Sequence, residues 1–142
     1  MYYVKGIEIK AGANLRGIDF SGEDLRYVDF RYANLENANL SGANLSHAEL
    51  YKANLKGANL SEADLLAADL TKAKLNFAVC KSAFFIGATL IEADLIGADF
   101  TNADFTKADL TGAKTSGTIM VNTIISDKQF LSMKIVKSPD TN

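Results

Sequence analysis

The chain has 142 residues, 48% hydrophobic and 23% charged, with a formal net charge of −2 and one cysteine. That supplies one sizeable core, excludes an internal disulfide, and, with no basic stripe, argues against direct nucleic-acid binding. No apolar run approaches the roughly 20 residues of a membrane span, and the start lacks the basic and apolar segments of a signal peptide, so a cytoplasmic location without membrane association is expected.

Residues 1–12 have strand character from Tyr3, Val4, Ile7 and Ile9 and are expected to form an N-terminal capping strand over the edge of the unit that follows. From residue 13 a period of five takes over. The centres of the repeat fall at every multiple of five from Leu15 to Leu110, and of these twenty positions fourteen are Leu, five are Phe and one is Cys80. Two residues before each centre, from position 13 to 113, eighteen of twenty-one sites are Ala; the exceptions are Ile18, Glu23 and Val28.

A period of five suits neither regular element. Wound as one α-helix, successive centres would advance by a net angle of about 140° and smear Leu around every side. In one continuous strand the odd spacing would send alternate centres to opposite faces and expose half of them. The pattern works if each unit is a short extended piece followed by a bend. Ala and the centre then point inward, the residue between them points outward, and the next two residues turn the corner. Gly at the second position after the centre, as in Gly42 and Gly57, suits such a corner.

The tandem Ala-Asn-Leu and Ala-Asp-Leu units over residues 13–114 resemble the pentapeptide-repeat family, with its signature of Ala, then Asp or Asn, then Leu, then two variable positions. The resemblance implies an all-β fold: a right-handed, four-sided parallel β-helix with four pentapeptides per coil, spanning residues 13–125. About five coils at a strand spacing of about 4.8 Å give a core roughly 25 Å long. On that geometry Asn14, Asn34 and Asn54 stack in one column, where amides can bond along the axis; Arg16, Glu36 and Lys56 alternate in sign, while Asp29, Glu49 and Asp69 stack unfavourably.

Seven outward positions between residues 66 and 96 are apolar where other units are polar: Leu66, Phe77, Val79, Phe84, Ile86, Ile91 and Ile96. Folding does not require them to be apolar. On the family's geometry Leu66, Phe84 and Ile86 share one face, with Ile91 on the adjoining face and Phe77 and Ile96 across a corner. Two readings stand: a self-association or partner surface, or an irregular coil in which Cys80 relaxes the packing.

Beyond Leu110 the repeat decays at Lys114, Thr115 and Ser116, and residues 118–125 read as a β-rich final partial coil. Residues 126–142 are expected to form a C-terminal cap, with Ser126 capping a short helix over residues 127–136 and a frayed tail from Ser138. In some family members a C-terminal element makes a dimer, so a homodimer through this end or through the apolar band is a further expectation.

No catalytic, cofactor or metal constellation stands out. His47, the only histidine, is at an outward corner and reads as surface filler, while Cys80, at an inward centre, reads as a small buried hydrophobe. The chain is therefore expected to be a non-enzymatic repeat scaffold for protein–protein interaction, with an unidentified protein partner and no cofactor. The alternative comes from the resemblance: pentapeptide-repeat proteins of the bacterial quinolone-resistance type look like DNA mimics, acidic rods that occupy the DNA-binding saddle of DNA gyrase. Residues 13–113 carry 14 acids and 9 Lys or Arg, and an acidic column of Asp29, Glu49, Asp69 and Asp109 could steer such a rod toward a basic groove.

Overall fold

The computed structural model describes residues 1–133; the end of the expected helix, residues 134–136, and the expected frayed tail lie outside them. Two strands, β1 (Tyr2–Val4) and β2 (Ile7–Ile9), form an antiparallel hairpin where a single capping strand was expected. The Lys5-Gly6 turn explains the difference: both residues have positive φ, 49° and 76°, which lets a two-residue loop reverse the chain.

After the hairpin the chain is a solenoid. Parallel bridges join residues twenty apart, in four columns that begin at Asn14, Asp19, Asp24 and Asp29. Each coil therefore holds twenty residues and four five-residue units. The coiling outlasts the sequence consensus: Asp94 still bridges Lys114, Asp99 bridges Ile119 and Asp104 bridges Ile124. The inward alternation and corner conformations persist there, although the Ala and Leu signature has gone.

A unit with Asn or Asp at the bridge closes its hydrogen bonds as a set, shown by residues 33–37. The centre N–H donates to the next coil (Leu35 to the Asn54 carbonyl, 2.8 Å), as does the second corner residue (Asn37 to the Lys56 carbonyl, 2.9 Å). The bridging residue donates to the previous coil (Asn34 to the Ala13 carbonyl, 2.9 Å), and the Ala donates within its turn (Ala33 to the Phe30 carbonyl, 3.0 Å). The fifth N–H belongs to the first corner residue, and it donates to the Asn or Asp side chain two residues earlier, as Glu36 does to Asn34 Oδ1 at 3.2 Å. This last bond is the physical reason for Asn or Asp in the signature.

The corner also explains the glycines. Every fifth residue from Gly12 to Asn122 has positive φ, whether Gly or not: Gly57 at 66°, Ala67 at 54°, Phe77 at 59°. The non-Gly residues there include Tyr, Asn, His, Lys, Glu, Ala, Phe and Ser but no Val, Ile or Thr, because a β-branched side chain clashes most in the left-handed region.

The core runs along the axis as stacked Leu and Phe with Ala between, nearly all sealed from solvent. Toward the C-terminal half Phe85, Phe100 and Phe105 pack as a cluster with centroids 4.9–5.6 Å apart. Cys80 lies one coil before Phe100 and is fully buried. Burial, with Asp99 nearby, pushes its thiol pKa far up.

Both ends of the ladder are closed by side chains. At the start, the Tyr2 hydroxyl donates to the Asp24 carbonyl (3.0 Å) and Lys5 Nζ to the Asp19 carbonyl (3.2 Å), the groups to which a preceding coil would donate. At the far end α1 (Asp127–Ser132) is N-capped by Ser126 in a capping box with Gln129. Gln129 Nε2 donates to the Phe105 and Ala108 carbonyls at 2.6 and 2.9 Å, and Met133 is buried against the core. The ladder pattern would place the backbone N–H of residue 129 on Ala108, so the side chain stands in for the missing coil.

Candidate functional site

The outward residues are placed by two positions of each unit, the bridge and the corner. Val79 and Phe84 are bridge residues, in the Asp19 and Asp24 columns respectively. Neither side chain can accept the N–H of the residue two further on, a bond made by both column neighbours of Phe84: Asp64 accepts from Leu66 at 3.0 Å and Asp104 from Thr106 at 2.8 Å. Leu66, Ile86, Ile91 and Ile96 are first corner residues, and Phe77 is a second corner residue with φ 59°.

Six of the seven, all except Leu66, lie within the twenty residues 77–96, so they go round one coil instead of down one side. Leu66, Phe84 and Ile86 gather at the Asp24 column and the corner after it, with Ile91 one corner further. Phe77, Val79 and Ile96 gather at the Asp19 column and the corner before it. Lys81 and Ser82 separate the two groups. Phe77 is 67% exposed, Phe84 46%, Leu66 41% and Val79 36%; Ile86, Ile91 and Ile96 are half-buried. The Phe77 ring covers Gly97, where an added Cβ would come within 2.5 Å of it.

Asp29, Glu49, Asp69 and Asp109 share the fourth column, but the stacking is relieved. The Arg31 guanidinium reaches Asp29 at 2.8 Å and Glu49 at 3.1 Å, which holds the Asp29 carboxyl below its ordinary range. Asp109 is lowered by the Thr111 hydroxyl, which donates to it at 2.6 Å. The Arg16–Glu36 pair closes at 2.8 Å, and Asn34 and Asn54 donate to Asn14 and Asn34 at 3.2 and 3.4 Å.

An aromatic group flanks this acidic column, and sequence reasoning missed it. Tyr27 and His47 stack with centroids 4.9 Å apart and planes within 5°, on one corner. On the other, Tyr32 and Tyr51 meet edge to face at 5.6 Å. Tyr27 and Tyr32 are 70% and 58% exposed. The signal was a separation of twenty, or nineteen, residues, which means contact only once the coil length is fixed.

At the C-terminal end a cleft of about 720 Å³ opens between the last coil and α1, lined by Lys107, Asp109, Leu110, Ile125, Lys128 and Gln129 among others. Ile119, Val121, Ile124, Phe130 and Leu131 are exposed around this end. Among the described residues no group of His, Cys, Asp or Glu is arranged to hold a metal ion, and no helix is long and apolar enough to cross a membrane.

A solenoid of five-residue units, closed by side-chain caps and presenting patterned outer columns, defines a class of repeat protein. Residues 11–42, 38–76 and 83–122 match the family model described as pentapeptide repeats, well over half of the chain. The chain belongs to the pentapeptide repeat family. It is similar to a pentapeptide repeat protein of the Arabidopsis thaliana thylakoid lumen, at 34% identity over 84% of this chain and 73% of that one, with a TM-score of 0.58. A trypsin-treated variant of QnrB1, a plasmid-mediated fluoroquinolone resistance protein, shares the fold at 19% identity over 80% of this chain and 65% of that one, TM-score 0.60. HetL, a pentapeptide repeat protein involved in heterocyst differentiation regulation from the cyanobacterium Nostoc, gives 34% identity over 79% of this chain and 61% of its own, TM-score 0.44. No curated protein matches this chain. The solved members imply a right-handed β-helix for the solenoid.

Proposed function

We propose that the chain is a rigid, non-enzymatic scaffold, a four-sided right-handed rod acting in the cytoplasm, that binds a protein partner through the apolar residues around Phe84. The four bridge columns support the four-sided section. The observation that carries the binding role is the placement of Val79 and Phe84. They hold bridge positions where Asn or Asp would add a hydrogen bond, so folding alone favours other residues there, and their side chains stay partly exposed. A pre-ordered rod loses little entropy on binding, and Phe84 with Leu66 and Ile86 supplies the apolar centre that interfaces use.

The test is affinity capture from source-cell lysate with the native chain and a Phe84→Lys, Ile86→Asp variant. A partner held by the native chain and lost by the variant supports the reading; equal capture by both removes this surface. The DNA-mimic reading has less behind it, because Arg31 pairs with both Asp29 and Glu49 and offsets one of their two charges. A supercoiling assay with DNA gyrase addresses it directly: neither inhibition nor protection at micromolar protein ends it.

A further inference from the structure

The helix α1 is held onto the last coil along its length. Its cap Ser126 follows directly from Ile125, Gln129 Nε2 donates to the Phe105 and Ala108 carbonyls, and the Gly112 N–H donates to the Ser132 carbonyl at 3.0 Å. A further strand would lie flush on the coil at a spacing of about 4.8 Å. A helix, with a diameter of about 10 Å including side chains, cannot, and the cleft of about 720 Å³ is the space left between the two. Its size falls within the roughly 300–1,000 Å³ of small-molecule sites.

We propose that this cleft binds a small, soluble amphiphilic anion: an apolar body carrying one carboxylate, phosphate or sulfonate group. The inference is independent of the surface around Phe84 and goes beyond it. The apolar body has a wall to meet. Ala108, Leu110, Ile124 and Ile125 line the cleft, and Ile124 is 58% exposed. Ile125 is an inward centre that is only half-buried, whereas the centres from Leu15 to Leu110 are buried. A ligand here covers what a further coil covers elsewhere in the rod.

The anionic group is met by two cations. Lys107 comes from the last corner and Lys128 from α1, and among the described residues neither forms an ion pair. Asp109 is the one carboxylate of the described lining, and it is already engaged by the Thr111 hydroxyl at 2.6 Å and the Thr111 N–H at 3.0 Å. Two Lys against one Asp leave the lining one positive charge in excess, in a chain whose net charge is −2. Ser126 Oγ accepts the Gln129 N–H at 3.2 Å, which leaves its own O–H free to donate. A cationic amphiphile would meet two ammonium groups, and charge complementarity therefore selects the anion. A cleft between a coil and a helix admits a single molecule, not a bilayer surface.

The test uses the purified full chain and two fluorescent probes that share one body: anilinonaphthalene sulfonate and its uncharged parent, phenylnaphthylamine. The sulfonate should bind one per chain with a Kd on the order of 10–100 µM, the affinity that a body of drug size supports, and dodecanoate should displace it. Lys107→Glu combined with Lys128→Glu should weaken the sulfonate about tenfold or more and leave the uncharged probe unchanged. Glu is compatible with the corner, since Glu62 and Glu92 hold the same position with positive φ. Gln at both sites should give a smaller loss in the same direction. Phe84→Asn should bind the sulfonate as the native chain does. The proposal is overturned by any of four results: no one-to-one binding, no displacement by dodecanoate, equal sulfonate affinity in the lysine variants, or loss of binding in Phe84→Asn. Co-sedimentation with phosphatidylglycerol vesicles that the lysine variants abolish would make the cleft a membrane contact and overturn it as well. A cleft that binds nothing leaves the partner reading intact, because that reading is tested by capture.

Discussion

Phe84 and Phe85 are adjacent in sequence and opposite in role, and replacing each by a smaller residue separates folding from binding. Phe84→Asn would place an amide oxygen where Asp64 and Asp104, above and below it, accept a corner N–H at 3.0 and 2.8 Å. One such bond contributes about 1 kcal/mol. Against this, Phe84 is 46% exposed, so about half of the roughly 2 kcal/mol for burying a Phe side chain is lost, again about 1 kcal/mol. The two nearly cancel. Asn is the better choice, since Asp would stand between two carboxylates.

Phe85→Ala instead empties a site that is 0% exposed and packed against Phe100 and Phe105, at a cost of about 3–5 kcal/mol. Urea denaturation followed by circular dichroism should find Phe84→Asn within about 1 kcal/mol of the native chain and Phe85→Ala far below it. The same Phe84→Asn chain should lose the captured partner. A loss above about 2 kcal/mol for Phe84→Asn, beyond what half-burial supplies, would mean that the ring is structural and the argument from its placement fails.

Three further outcomes follow from the same geometry. Ala67→Gly should stabilise the fold by about 0.5 kcal/mol, because φ is 54° there and relief of left-handed strain slightly exceeds the added unfolded-state entropy; a lower melting temperature would contradict the corner account. Gly97→Ala should cost about 1–2 kcal/mol through that same strain, and should displace the Phe77 ring, which a Cβ would approach to 2.5 Å; native stability in this variant would show the contact to be soft. Stability should be flat above about pH 5 and fall in acid. The carboxyls of Asp19, Asp24, Asp29, Asp99 and Asp109 are all held below their ordinary value, chiefly by hydrogen bonds from Ser21, Arg26, Arg31, Thr101 and Thr111. Groups with depressed folded values lend stability above the unfolded value of 3.8 and lose it as pH falls through the folded ones, about 2 for Asp24; a pH-independent unfolding midpoint between pH 5 and 2 would refute this.

The sequence alone determined the unit and its inside. A five-residue period with Ala and Leu two apart admits few chains that bury every Leu, and all the predicted inward centres from Leu15 to Leu110 are buried. Periodicity by itself did not give the relations between coils; the twenty-residue coil came from the family resemblance, and the contacts across it came from the structure. Whether Tyr27 meets His47, whether Arg31 spans Asp29 and Glu49, and that the apolar residues encircle one coil all depend on which residues lie twenty apart, and local propensity does not carry that length. The same holds for the ends: Tyr2, Lys5 and Gln129 look like ordinary surface residues until the ladder's open carbonyls are located. Nor does the consensus mark where the solenoid stops, since hydrogen bonds from one coil can fold the next onto it after the Ala and Leu signature has faded. Periodicity sets what each residue points at, inward or outward; only the stacking of coils sets what it touches.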